Sequence, residues 1–513
     1  MTVQASELVT PYSTAVPLFS SAPPTWMPAY DAQRIMAYQL YEQIYWNVPE
    51  TFKLQQRGTD ANPIYIPTAR TIVDTTNRYV GKDFGFMLDP DVGSDQDRLV
   101  LNNALLSLFR RERFWSKFAS NKRYGLIRGD WCWHVYANPL KAEGTRISIE
   151  ALDPGSYFPV FESDVKDDGS PTKVVAVHIV EQIVNPADNK IVLKRQTYTK
   201  GLDPATNDGS DLTIYNSISL YDQSKPWQKP GDSPISVIKP PTALPPQITS
   251  IPVYHIRNIE TPEDPFGSSE LRGIETVIGA IHQAISDEDL ALALDGFGMY
   301  ATDGGPPVDE NGQITNWILG PGQVVEHQKG SKWERVNGVS GANVDAALKH
   351  VGFLAGSVKE ASGTPDIAIG KVDVAVAESG ISLTLQMGPM LSKVSEKEQI
   401  ITDVHRQMYW DLATGWLPAF EGITSLARAE PSYGNALPDD KAAQVTEIIE
   451  LVAAGFADAE WGRTEVAKIR GYDFGNGMAA RVVSEMAEKA SAIDPFAARM
   501  AAESEAEEGT ANG

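Results

Sequence analysis

One cysteine, Cys132, stands in a chain of 513 residues. It can form neither an internal disulfide nor a cysteine-based zinc site. Set between Trp131 and Trp133, it reads as a small buried hydrophobe in a strand. No run of 18 apolar residues occurs, so no membrane-spanning helix is expected, and no basic-then-apolar leader opens the chain. Positive charge is scarce: 44 Lys and Arg against 67 Asp and Glu give a formal charge of -23. A field of that sign repels phosphate, so DNA would have to be met locally or kept off the walls. These absences describe a soluble protein made in a reducing cytoplasm.

Catalytic signatures are missing as well. A phosphate loop needs Gly, four residues, then Gly-Lys-Ser/Thr. Gly363 lies too far ahead of Gly370 for that spacing, and Val372 follows Lys371. The seven histidines are scattered singly, with no second ligand at helical spacing, and no Gly-x-Ser-x-Gly elbow occurs. No cofactor and no metal site is expected. Asp287-Glu288-Asp289 is a compact carboxylate cluster of the kind that can hold a divalent cation. Consecutive helical side chains point in different directions, however, which favours a solvated or channel-facing acidic face. Arg110, Arg111, Arg113 and Lys117 form a basic patch interleaved with Phe109, Phe114 and Trp115. Such a patch is either a nucleic-acid contact or the outer face of a helix whose aromatics point inward.

What is present is ordinary globular material: 42% hydrophobic residues, with 41 Gly and 34 Pro. That is ample for a core, roughly three domains by length, and a mixed α+β fold. Residues 1–27 read as a loose arm. Helices are expected from about Ile35 to Tyr45, from Ala69 to Val80, and from Asp95 through Phe118. After Gly129 the period changes to that of strands, with Trp131, Trp133 and Val135 alternating with polar residues. Further strands are expected around Ile147, Val174–Val180, Ile191–Tyr198 and Val253–Arg257, whereas the prolines of 224–246 resist regular structure. Ser268 or Ser269 would cap a helix with Glu270 in its first turn and Ile274, Val277, Ile278, Ile281 and Ile285 on one face. A second helix carries Val344, Leu348, Val351, Leu354 and Val358. A long one carries Met387, Met390, Val394, Ile401 and Met408, with Pro389 expected to kink it. A helical group follows Asp439-Asp440, and an acidic tail closes the chain. Long amphipathic helices without an enzyme site point to subunit packing.

The order of several short motifs resembles that of the portal proteins of tailed bacteriophages, siphophage type, over roughly residues 30–490. They are Leu126-Ile127-Arg128-Gly129-Asp130 leading into Trp133-His134-Val135; Leu152-Asp153-Pro154 followed by Phe158-Pro159-Val160; Ile251-Pro252-Val253-Tyr254 followed by Phe266-Gly267-Ser268-Ser269-Glu270-Leu271; Glu378-Ser379-Gly380-Ile381-Ser382-Leu383; and Leu437-Pro438-Asp439-Asp440. The resemblance implies a portal fold. A mixed α/β wing would span 28–265 and 379–430, stem helices 266–298 and 343–362, and a small clip 299–342. A tunnel loop would span 363–378 and a helical crown 431–490, followed by a disordered tail.

The resemblance also implies a ring, usually of twelve subunits, at one capsid vertex of the virion, assembled in the host cytoplasm. Double-stranded DNA would be packaged and ejected through it. Terminase, head-completion adaptor, major capsid and scaffolding proteins would be partners, with no membrane and no catalysis. Asp287, Glu288 and Asp295 would be candidates for the channel wall. Asp366, Lys371 and Asp373 would be the tunnel-loop charges, Lys371 either touching phosphate or pairing with Asp373. Trp317 and Trp333 would be clip interface anchors or clip core. The competing readings are a metal-dependent α/β enzyme using Asp287–Asp289 and another ring-forming virion scaffold.

Overall fold

The computed structural model describes residues 29–55, 63–162, 173–184, 191–203, 211–222, 234–262, 264–297, 299–305, 313–314, 332–336, 341–371, 380–436, 441–457 and 459–470. Helix makes up 50% and strand 22%, in mixed α and β order. The chain divides into two compact units, Met1–Ala436 and Leu437–Gly513.

In the larger unit, α1 (Ala29–Tyr45) and a one-turn helix Pro49–Phe52 precede α2 (Thr68–Tyr79) and β1 (Gly85–Leu88). The sequence periodicity predicts one helix from Asp95 to Phe118. Two are found, α3 (Asp95–Arg111) and α4 (Phe114–Arg128), because Arg113 takes the left-handed conformation at φ 55° and breaks the ladder. Helix α3 starts on a full capping box. Asp97 N donates to Ser94 Oγ at 3.1 Å, and Ser94 N donates to Asp97 Oδ2 at 3.0 Å. Ser94→Ala should therefore lower amide protection in the first turn of α3 about fivefold, read by hydrogen exchange.

Strands β2 (Asp130–Ala137), β3 (Ile147–Leu152) and β9 (Val253–Arg257) form an antiparallel sheet in the order β3-β2-β9. The expected alternation of buried and exposed positions on β2 is absent, since Asp130 to Val135 are all buried. Trp131 and Trp133 face an aromatic cluster of Phe114, Phe118, His405 and Tyr409. The intervening Cys132 packs with Tyr157, Val177, Ile179 and Tyr198 of a second sheet. A strand packed on both sides needs no polar face. His134 satisfies its ring nitrogen Nε2 inside, 2.9 Å from Tyr198 Oη.

That second sheet is a five-stranded antiparallel meander in sequence order: β4 (Tyr157–Phe161), β5 (Val174–Val184), β6 (Ile191–Lys200), β7 (Ile214–Asp222) and β8 (Ser236–Ala243). The last strand corrects the expectation for 224–246. Prolines 240 and 241 are tolerated because β8 is an edge, where a missing N–H costs no ladder bond. The β7–β8 register slips around Ile218, opposite this stretch.

The helix expected from Ser269 begins later. Helix α5 spans Glu275–Phe297, about 34 Å long. Ser269 Oγ accepts from Leu271 N at 3.0 Å, and residues 269–270 also close α4: Glu270 N donates to Leu126 O at 2.9 Å, and Ser269 Oγ donates to Ile127 O at 2.5 Å. Strands β10 (Met299–Thr302) and β11 (Trp333–Val336) pair antiparallel, and α6 (Gly341–Ala361) returns along α5. Ile274, Ile278 and Ile281 share one core with Val358 and Leu354 of α6, and with Ile44, Ile72, Val73 and Ile127 of the first helices. The α6 stripe is only partly buried, with Val358 enclosed and Leu348 55% exposed.

A short 3-10 turn, Asp366–Ile369, leads to the longest helix, α7 (Gly380–Asp411), which includes Pro389. It buries Met387, Met390, Val394, Ile401 and Met408 and passes into a π-helical stretch, Leu412–Glu421. Strand β12 (Ala429–Ser432) then pairs with β1. In the smaller unit, α8 (Lys441–Ala453) and α9 (Ala459–Arg470) approach closely. A Cβ on Gly462 would lie 2.7 Å from Val452 Cγ2.

Candidate functional site

Several buried charges of the larger unit converge on the segment joining β9 to α5. It begins at Asn258, crosses Gly267 and ends at Glu270. Glu270 is 7% exposed and stands between two lysines of α7. Lys393 Nζ donates to Glu270 Oε1 at 2.6 Å, to Ser362 O at 2.7 Å and to Thr76 Oγ1 at 2.9 Å. Lys397 Nζ lies 2.9 Å from Glu270 Oε2 and donates to Asn258 Oδ1 at 2.7 Å. One node thus ties the start of α5, the end of α6, the end of α2 and the middle of α7. Burial alone would raise the Glu270 carboxyl, but the Lys397 and Lys393 ammoniums outweigh it and hold the group at about 2. Burial pulls Lys393 below its ordinary range, partly offset by Glu270.

A carboxyl depressed on folding stabilises the fold above its unfolded pKa, and that contribution fades as pH falls through the folded value. With an ordinary value of 4.5 and a folded value of about 2, Glu270 contributes on the order of 3 kcal/mol at neutral pH. That share should be lost between about pH 4.5 and 2. Urea titrations across this window should show a steeper fall for the wild type than for Glu270→Gln.

Two neighbouring nodes hold the same segment. Asp130 is fully buried and accepts from Tyr38 Oη at 2.5 Å and Gly267 N at 2.7 Å, with His255 Nε2 2.6 Å away. Arg128 bridges Glu42 at 2.8 Å and Asp153 at 2.9 Å, with Arg128 and Glu42 buried and Asp153 partly so. Arg34 donates to Pro154 O and Tyr157 O and lies 4.2 Å from the Phe266 ring.

Arg128, Asp130, Asp153, Gly267 and Glu270 fall within the motifs that carry the resemblance, but none of them stands among the candidate site residues. The available signal was Lys393 and Lys397, four apart and flanking Val394 within the apolar stripe of α7. A lysine pair inside a buried stripe points to a buried acid.

The selected residues are spread apart. Asp366 pairs with Lys359 at 2.5 Å. Lys371 is exposed, and among the described residues only its backbone N–H is engaged, by Asp366 O. Asp373 lies outside the described residues, and with it any pairing to Lys371. On α5, Asp287 accepts from Gln283 Nε2 at 2.9 Å, Glu288 is partly buried with Oε1 unpartnered among the described residues, and Asp289 is exposed. Among the described residues no group of three His, Cys, Asp or Glu side chains is placed to hold a metal. Asp295 belongs to α5 and Trp333 to β11, but their side chains, like Trp317 altogether, are outside the described residues.

The basic patch is partly consumed by the fold. Arg111 donates to Gly144 O and Ile147 O, and Lys117 to Ile149 O at 2.5 Å. These two cations clamp β3 and the turn before it. Arg110 and Arg113 remain exposed.

No helix among the described residues is long and apolar enough to cross a membrane. No family model matches the sequence, and no curated protein is significantly similar to it.

Proposed function

We propose that this chain is a phage portal protein, a ring-forming conduit for double-stranded DNA at one capsid vertex that acts without turnover. The observation that carries the reading is the order of elements from α5 to α7. Two long helices run out and back around a β10–β11 pair, and a loop and a 32-residue helix follow. Stem, clip, stem, tunnel loop and long wing helix follow one another in that order in the family the sequence resembles. The junction at Glu270 then lies where stem, loop and wing would meet, and would transmit load among them.

The outer half of the helix pair supports assembly. Its inner half is enclosed by α1, α2 and α4, whereas Leu292, Leu348 and Phe353 stand 49%, 55% and 69% exposed. Apolar side chains at this density on a helix pair are covered in an oligomer. The net charge of -23 suits a wall that lets duplex DNA slide. Terminase and head-completion proteins would dock on the ring, and capsid and scaffolding proteins would surround it.

The test is electron microscopy of the purified protein with native mass spectrometry. Rings of about a dozen subunits with a central hole are expected, and Phe353→Asp should shift them to monomers while leaving the far-ultraviolet circular dichroism unchanged. A wild-type monomer that stays monomeric with scaffolding protein present would sink the reading.

A further inference from the structure

A cleft of about 710 Å3 opens between the three-stranded and five-stranded sheets, within the size range of small-molecule sites. Its floor is a chain of side-chain hydrogen bonds. Gln196 Nε2 donates to Tyr198 Oη at 2.7 Å and to Asn216 Oδ1 at 3.4 Å, and Tyr198 Oη sits 2.9 Å from His134 Nε2. Burial lowers His134 to about 4 and raises Tyr198, so the floor is polar but uncharged at neutral pH. At one end the rings of Trp416 and Phe420 stack, centroids 5.5 Å apart and 21° from parallel. Trp416 is enclosed behind, leaving Phe420 as the partly exposed ring.

The charges are unevenly matched. Lys194 is paired with Glu181 at 3.0 Å, and Glu150 accepts from Tyr136 Oη at 2.6 Å. Lys239, on edge strand β8, is partly buried and has no acid partner among the described residues; desolvation alone lowers its pKa. A cation drawn partly out of water without a counter-charge is an unfavourable arrangement that a bound anion relieves. One cation without an acid partner among the described residues, in a cleft that Glu150 and Glu181 also line, suits a single negative charge and disfavours a phosphate dianion. The aromatic ledge adds a flat apolar surface beside it.

We propose that this cleft binds a planar aromatic carboxylate, its charge on Lys239 and its ring against Phe420, with the His134–Tyr198–Gln196 chain as polar floor. The inference is independent of the portal reading. The group could arrive as a free aromatic acid or as the terminal carboxylate of a chain ending in an aromatic residue.

Calorimetric titration of the full chain with 2-naphthoate tests it. One saturable site per chain is expected, with binding at least tenfold weaker for the neutral 2-naphthamide and for Lys239→Gln. Lys332→Gln, an exposed lysine outside the cleft, should bind as wild type does. Equal binding of acid and amide to the wild-type protein, or no saturable heat with 2-naphthoate, would overturn the proposal whatever the variants do. N-acetyl-glycyl-phenylalanine separates the sources: tighter binding than 2-naphthoate assigns a chain terminus, and weaker binding assigns a free acid.

Discussion

Glu270→Ala should destabilise the larger unit by about 3–5 kcal/mol, the cost of leaving buried charge without its partner. The size follows from what remains. Lys393 and Lys397 would keep Ser362 O, Thr76 Oγ1 and Asn258 Oδ1 as acceptors, but two ammoniums would share an enclosed space with no carboxylate. Each would have to lose a proton or admit water, and either loosens the contact between α7 and the start of α5. Urea unfolding followed by tryptophan fluorescence should show the midpoint fall with little change in slope. Replacing the three charged groups together, Glu270→Leu with Lys393→Met and Lys397→Met, should recover most of the loss, because a packed apolar node removes the desolvation penalty along with the pair. A loss below about 1 kcal/mol for the single change would mean that the node is wet.

Gly267→Ala is the second large effect, and its cause is steric. A Cβ at Gly267 would lie 2.2 Å from Gly129 O and 2.8 Å from Asn258 N. Both are backbone atoms that no rotamer change can move. The same backbone carries the bonds of the junction: Asn258 N donates to Gly129 O at 2.7 Å, and Gly267 N donates to Asp130 Oδ1 at 2.7 Å. Opening the gap would break both, for a loss of about 3 kcal/mol or more. Gly279→Ala is the control. It lies inside α5, where a Cβ would meet only Phe52 Cδ1 at 3.9 Å, and alanine's helix propensity should make it neutral or stabilising by up to about 1 kcal/mol. If the two variants melt together, close backbone packing at Gly267 is not what holds the segment.

The elements that the sequence made legible are those whose stripes are set by one neighbour. The Ile278–Ile285 face of α5 and the Met387–Met408 face of α7 could be read from spacing, because each presents one side to the core. The failures have a common origin in contacts distant along the chain. Arg113 ends a helix in the middle of an unbroken apolar pattern by taking a left-handed φ. Ser269 Oγ does accept from Leu271 N, as a cap would, but the helix starts only at Glu275 and the same hydroxyl donates to the carbonyl of Ile127, which sequence order does not reveal. Pro240 and Pro241 speak against a strand until β8 is known to be an edge. The charged junction was hidden for the same reason. Its acid comes from residue 270 and its bases from residues 393 and 397, and a basic pair in a stripe announces a partner without saying where it is. The patch at Arg110–Lys117 shows the reverse case. It was visible at once, yet half of it is committed to backbone carbonyls of β3 and the turn before it.

The solitary thiol has a practical consequence. Cys132 is wholly enclosed between the two sheets, and burial raises its pKa well above the ordinary range, so the folded chain offers alkylating reagents neither access nor thiolate. The native protein is therefore a blank background for single-site spectroscopic labels. A cysteine placed at Phe353 would be the only one to react, and distances between copies could be measured without removing any natural residue. Slow modification of Cys132 itself would then act as a clock, ticking only when the two sheets part.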